Sequence, residues 1–113
     1  MAVPFSRFRE VNNLVFASGQ IHINEKLELV GETIEEKTHQ CMKNVQTVLS
    51  EAGLELSDVV NTTIYMTNMT DYSAINEVYG SYFAEPYPAR TAVCVKELPL
   101  GANIEITVVA VKK

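Results

Sequence analysis

Two residue spacings alternate along this chain and together predict an α+β fold. Segments with every second residue apolar read as strands, and two segments with apolar residues at three- and four-residue steps read as helices. The order is strand, strand, helix, strand, helix, strand, strand. Two helices permit few crossovers, so a mixed or mostly antiparallel sheet with both helices on one face is expected.

The elements follow in order. Phe8 to Val11 and the segment from Leu14 flank Asn12-Asn13, and asparagine tolerates the positive φ of a type I′ hairpin turn. From Leu14 to Asn24 the residues alternate, with Val15, Ala17, Gly19, Ile21 and Ile23 on one face and Leu14, Phe16, Ser18, Gln20 and His22 on the other. Lys26 to Gly31 reads as a further short strand or a loop. From Thr33 to Ala52 the spacing turns helical through Ile34, Cys41, Met42, Val45, Val48, Leu49 and Ala52. Thr33 with Glu36 forms a capping box, and Gly53 is expected at the left-handed C′ position. Val59 to Met66 is β-branched and reads as a strand. Asn68-Met69-Thr70-Asp71 then turns the chain into a second helix with Ile75, Val78, Tyr79, Tyr82 and Phe83 on its apolar face. Glu85-Pro86-Tyr87-Pro88 is expected to stop it, because proline removes a donor and disfavours helix before it. Arg90 to Glu97 and Asn103 to Val111 close the chain as strands around Leu98-Pro99-Leu100-Gly101.

No linker, repeat or charge block divides the 113 residues, so 1–113 reads as one domain. Nine Lys+Arg against fourteen Asp+Glu leave a net charge of −5, which opposes nucleic-acid binding because phosphates demand clustered cations. No apolar run approaches the ~20 residues a membrane span needs. Two cysteines, Cys41 and Cys94, fit a reducing cytosol, and Met1 to Arg7 lacks a signal-peptide pattern, so a cytoplasmic location is expected. His22, His39 and Cys41 have no metal-ligand spacing and read as edge, surface and core residues; neither metal nor cofactor is expected.

Parity assigns faces within the last two strands. If Thr91, Val93 and Val95 face the helices with Ile104, Ile106, Val108 and Ala110, an antiparallel pair sends Arg90, Ala92 and Cys94 to the far face with Asn103, Glu105 and Thr107. Arg90 then lies opposite or diagonal to Glu105. Leu14, Phe16, Val109 and Val111, with Ile64 or Tyr65, make that face apolar, and a cyclic homo-oligomer is expected to cover it. Two readings of Arg90 and Glu105 stay open. They form a structural ion pair at an interface, or Arg90 grips a ligand carboxylate while Glu105 positions a water.

Several stretches resemble the RidA family, also called YjgF or L-PSP: Ala17-Ser18-Gly19-Gln20-Ile21, Asn44-Val45, Ala52-Gly53-Leu54, Asp58 to Tyr65, Asn76-Glu77-Val78-Tyr79, Pro88-Ala89-Arg90-Thr91 and Ile104-Glu105-Ile106. The resemblance implies a chorismate-mutase-like fold assembled as a homotrimer with sites between subunits. It implies a deaminase that hydrolyses reactive 2-enamino or 2-imino acids, such as 2-iminobutanoate and 2-iminopropanoate, to 2-keto acids and ammonia. By the same resemblance Arg90 binds the substrate carboxylate and Glu105 orients the water. Ser18, Gly19, Asn76 and the backbone at Ala92 line the pocket, where Cys94 is a further candidate. Phe5 stands where the family's deaminases often have a tyrosine, and Ala92 where they often have a cysteine. Two other readings remain: an L-PSP-type endoribonuclease or translation inhibitor, which the acidic balance opposes, and a non-catalytic trimer binding small carboxylates or acting as a regulator or chaperone.

Overall fold

The structure is a computed structural model that describes residues 3–113. Eight elements follow one another: β1 (Phe8–Val11), β2 (Leu14–Ala17), β3 (Gln20–Ile21), α1 (Ile34–Glu51), β4 (Val59–Met66), α2 (Tyr72–Gly80), β5 (Ala89–Cys94) and β6 (Ile104–Val111). The strands form one sheet in the order β1-β2-β6-β4-β5, with β3 also paired to β6. All pairings are antiparallel except β4 with β5. The expected mixed α+β architecture is present.

Local chemistry accounts for the ends of the elements. Asn12 and Asn13 both take positive φ, 49° and 68°, so the hairpin turns in the primed form. At the start of α1, Thr33 Oγ1 accepts from the Glu36 N–H at 3.1 Å, and Glu36 Oε1 accepts from the Thr33 N–H at 3.2 Å. Those bonds satisfy donors that the first helical turn leaves orphaned, and the N–H groups of Glu32 and Thr33, both donating to Glu36 Oε1, hold that carboxyl below its usual range. Gly53 at φ +76° carries the chain out of the helix. Cys41, Met42, Val45, Val48 and Leu49 bury one stripe of α1 against Ile64, Met66, Ile104, Ile106 and Val108 of the sheet. Each such side chain contributes about 1.5–3 kcal/mol on burial.

Three expectations require correction. The strand expected over 14–24 is two strands: Phe16 pairs with Val109 but Gln20 with Ile106, so one extra residue is accommodated around Ser18-Gly19. The bulge inverts parity, and the face assignment made for Val15 and Ala17 does not extend to Ile21. Of the two forms open to Lys26 to Gly31, the structure shows the loop, with an isolated Ile23–Leu29 bridge. α2 ends at Gly80, ahead of the prolines, with Tyr82 and Phe83 packing on the core from the following turn. His22 is neither an edge nor a surface residue but buried, its Nε2 accepting from the Asn103 N–H at 3.0 Å and its Nδ1 donating to the Val30 carbonyl at 2.9 Å.

His22 therefore ties the 22–30 loop to the start of β6 in its neutral form. Burial lowers its pKa from the ordinary 6.5, so the unfolded chain takes up this proton at a higher pH than the folded one. The contribution is complete above about pH 6.5 and is lost as the pH falls through that value toward the folded pKa. Denaturation midpoints should fall between pH 7.5 and 5.5, and His22→Gln should flatten that slope. A variant with the wild-type slope contradicts this assignment.

Candidate active site

Register decides where the two candidate groups stand. β4 lies between β5 and β6, so the expected pairing of the last two strands does not occur. Thr62 of β4 is level with both Arg90 and Val108, and Ile64 is level with both Ala92 and Ile106. Residues level with one another share a face, so Arg90, Ala92 and Cys94 belong to the helix-covered side. Tyr65 is level with both Val93 and Glu105, which places Glu105, Val93 and Thr91 on the far side. Arg90 and Glu105 of the chain thus occupy opposite faces. Parity divides a strand into two sets but does not say which set faces the helices, and here the apolar set Thr91/Val93 faces away.

The arginine half lies at the sheet edge under α2. Tyr72, Asn76 and Tyr79, spaced four and three residues apart, line one stripe of that helix. Arg90 Nη2 donates to Tyr72 Oη at 3.1 Å. Its guanidinium carbon is 5.7 Å from the Tyr72 ring centroid and 5.3 Å from that of Tyr79, within cation–π range. Asn76 Oδ1 is buried without a hydrogen-bond partner. Ala92 packs its methyl on the core, and Cys94 is exposed farther along the edge.

The carboxylate half lies on the far face at the β2–β3 bulge. A Cβ built on Gly19 would overlap the Glu105 carboxylate and stand 2.9 Å from Thr107 Oγ1, so only glycine admits this approach. Ile21 and Tyr65 are level with Glu105 on the flanking strands, and burial raises its pKa above the ordinary 4.5. Among the described residues no cation forms an ion pair with it. Ser18 bonds the N-terminal segment, its Oγ donating to the Ser6 carbonyl and its N–H to that of Arg7 at 2.9 Å. Phe5, beside Ser6, is 65% exposed. The structure therefore groups Ser18, Gly19 and Glu105 in one half and Arg90, Asn76 and Ala92 in the other. Tyr65 and Tyr72, which the sequence reading left out of the site, stand beside its two charged groups; the seven-residue step from Tyr72 to Tyr79 was the legible signal for the latter.

The far face carries Val11, Leu14, Phe16, Tyr65, Val93, Val109 and Val111, with Phe16 46% exposed and neither helix over it. Ile64 lies on the opposite, helix-covered side and is fully buried. Among the described residues no helix is long and apolar enough to cross a membrane, and no three His, Cys, Asp or Glu side chains are grouped to hold a metal.

A small α+β domain with an arginine fork at the sheet edge and a desolvated glutamate at a strand bulge has the outline of a Rid-type protein. The chain belongs to the RidA/YjgF family, whose model, described as Endoribonuclease L-PSP, matches residues 1–112. A RutC family protein of Aquifex aeolicus is 45% identical over 111 residues, covering 96% of this chain and 89% of its own. Reactive Intermediate Deaminase A, chloroplastic, of Arabidopsis thaliana is 42% identical over 108 residues, covering 95% of this chain and 58% of its own. The crystal structure of E. coli TdcF with bound serine superposes with a TM-score of 0.92 at 30% identity, covering 100% of this chain and 91% of that one.

A carboxylate held above its ordinary pKa opposes folding once ionised. Its stabilising share is present below pH 4.5 and lost as the pH rises through the folded pKa. Glu105→Gln should therefore raise Tm at pH 7, with the gain shrinking as the pH is lowered toward 4.5. A variant less stable than wild type at pH 7 contradicts the desolvated placement.

Proposed function

We propose that this protein is an imine deaminase that hydrolyses 2-imino acids, and the 2-enamino acids in equilibrium with them, to 2-keto acids and ammonia. The substrate class is that released by PLP-dependent dehydratases, with 2-iminobutanoate and 2-iminopropanoate as the type members. Arg90 binds the substrate carboxylate through two parallel N–H donors, and Glu105 orients the attacking water and takes its proton. The water oxygen bonds to C2 as the C=N electrons move to nitrogen, which takes up the proton held by Glu105. Collapse of the resulting carbinolamine, in which Glu105 carries the hydroxyl proton to the departing nitrogen, breaks the C–N bond, releases ammonia and leaves the keto acid. An imine carbon is already electrophilic, so holding substrate and water in register supplies much of the acceleration. A glutamate raised by burial is the better base near neutral pH.

The observation that carries this reading is the separation of the two groups onto opposite faces. Neither group is spent on the other within one chain; a structural ion pair between copies is the rival reading, and it predicts no acceleration of 2-keto acid release. A head-to-tail contact that lays the β5 edge and α2 of one copy on the far face of the next brings Arg90 to its neighbour's Glu105. It also covers Leu14, Phe16 and Val109. Such contacts are heterologous and form a ring where the rotation between copies closes. The ring we propose is a homotrimer with three shared sites, acting in the cytoplasm without a cofactor. Phe5, Ser18, Gly19, Asn76, Ala92 and Cys94 are the proposed lining. The name of the Arabidopsis relative supports the chemistry. The serine bound to TdcF favours a second reading, a non-catalytic small-carboxylate binder of regulatory or chaperone type. The net charge of −5 opposes a nucleic-acid substrate despite the L-PSP family description.

The test generates 2-iminobutanoate in situ with a PLP-dependent dehydratase and follows 2-ketobutyrate release. The protein should accelerate release, and Arg90→Ala and Glu105→Gln should each lose about 100-fold or more. No acceleration by wild type, with 2-ketobutyrate still bound, favours the non-catalytic binder.

A further inference from the structure

Carboxylate recognition by arginine needs a guanidinium held in one orientation, because the fork is selective only when both donors point the same way. An arginine on an edge strand has every reason to lack this. Its side chain has many rotamers to lose, and solvent lies on the side where a neighbouring strand would pack. Arg90 is half-buried on such a strand, yet its head group has fixed partners on α2.

We propose that Tyr72 and Tyr79 form a two-ring clamp that positions Arg90 for its carboxylate ligand, with the Tyr72 hydroxyl setting the orientation of the fork. The inference rests on the reading of Arg90 as the carboxylate binder. Four contacts carry it. The guanidinium carbon stands against both rings, at 5.7 and 5.3 Å. Nη2 donates to Tyr72 Oη at 3.1 Å, which consumes one of five N–H donors and leaves a pair free for a carboxylate. Tyr79 is itself anchored, because its buried hydroxyl donates to Thr62 Oγ1 at 2.9 Å and Thr62 is level with Arg90 on the adjacent strand. The clamp is therefore built on the same strand pair as the residue it holds. Tyr72 and Tyr79 are positioning residues: they touch the arginine, and they act on the substrate through it.

Tyr72 is the residue to vary, since it is 37% exposed and its loss leaves the core intact, whereas Tyr79 is buried. Tyr72→Phe keeps the ring and removes the hydrogen bond; Tyr72→Ala removes both. Loss of a hydrogen bond to a charged group predicts a KM for 2-iminobutanoate and a Kd for 2-ketobutyrate raised about 10-fold in Tyr72→Phe, and further in Tyr72→Ala. Because the clamp acts on binding, kcat should stay within about 2-fold of wild type. An independent readout is the Arg90 Nε–H resonance, identified by its absence in Arg90→Lys, which should move on Tyr72→Ala through loss of the ring current. Wild-type KM and Kd in both Tyr72 variants, or an unmoved Nε–H resonance, overturn the clamp while an Arg90→Ala defect leaves the proposed function standing. Wild-type Kd in Arg90→Ala overturns both.

Discussion

The placement of β4 between a parallel and an antiparallel neighbour is the constraint from which the site follows. One strand sets the level of both charged residues: Thr62 stands beside Arg90 and Tyr65 beside Glu105. Successive residues of a strand point to opposite faces, and 62 and 65 differ by an odd number. A register slip of one residue between β4 and either neighbour would put arginine and glutamate on one face and allow them to neutralise each other. The observed register keeps them apart. Neither is neutralised by the other, and under the proposed function each is half of a site.

The two halves are built differently, in ways that suit their chemistry. The arginine sits among aromatic rings and a hydroxyl, which orient a cation without removing its charge. The glutamate sits against a glycine bulge, level with Ile21 and Tyr65 on the flanking strands, where loss of water raises its proton affinity. Gly19 is part of this arrangement through its missing side chain. The stability given up at Glu105 is of the kind expected at a working site, and the core between α1, α2 and the sheet offsets it.

Much of the fold was legible because its signals are local. Thr33 and Glu36 cap α1, Asn12 and Asn13 turn the hairpin, and the stripe from Cys41 to Leu49 has a single helical period. The errors arose where a non-local choice was needed. Alternation in Arg90–Cys94 defines two faces without ordering them, and nothing local says that β5 pairs with β4 rather than β6. The Ser18-Gly19 bulge broke the alternation, and Gly19 within an apolar run was the available warning. His22 was misplaced for a related reason, since its partners come from the 30 and 103 positions. Arg90 and Glu105 were legible as candidates; that they lie on opposite faces, and that Tyr72 accompanies Arg90, needed the register.

In the proposed enzyme one site draws its arginine and its glutamate from different copies of the chain. Mixing the inactive Arg90→Ala and Glu105→Gln proteins, by co-expression or by refolding together, tests this directly. Each variant retains the group the other lacks. Mixed rings should recover about a quarter of wild-type deaminase activity, because random assembly places an intact arginine next to an intact glutamate at that fraction of interfaces. Mixtures as inactive as either parent would contradict the shared site.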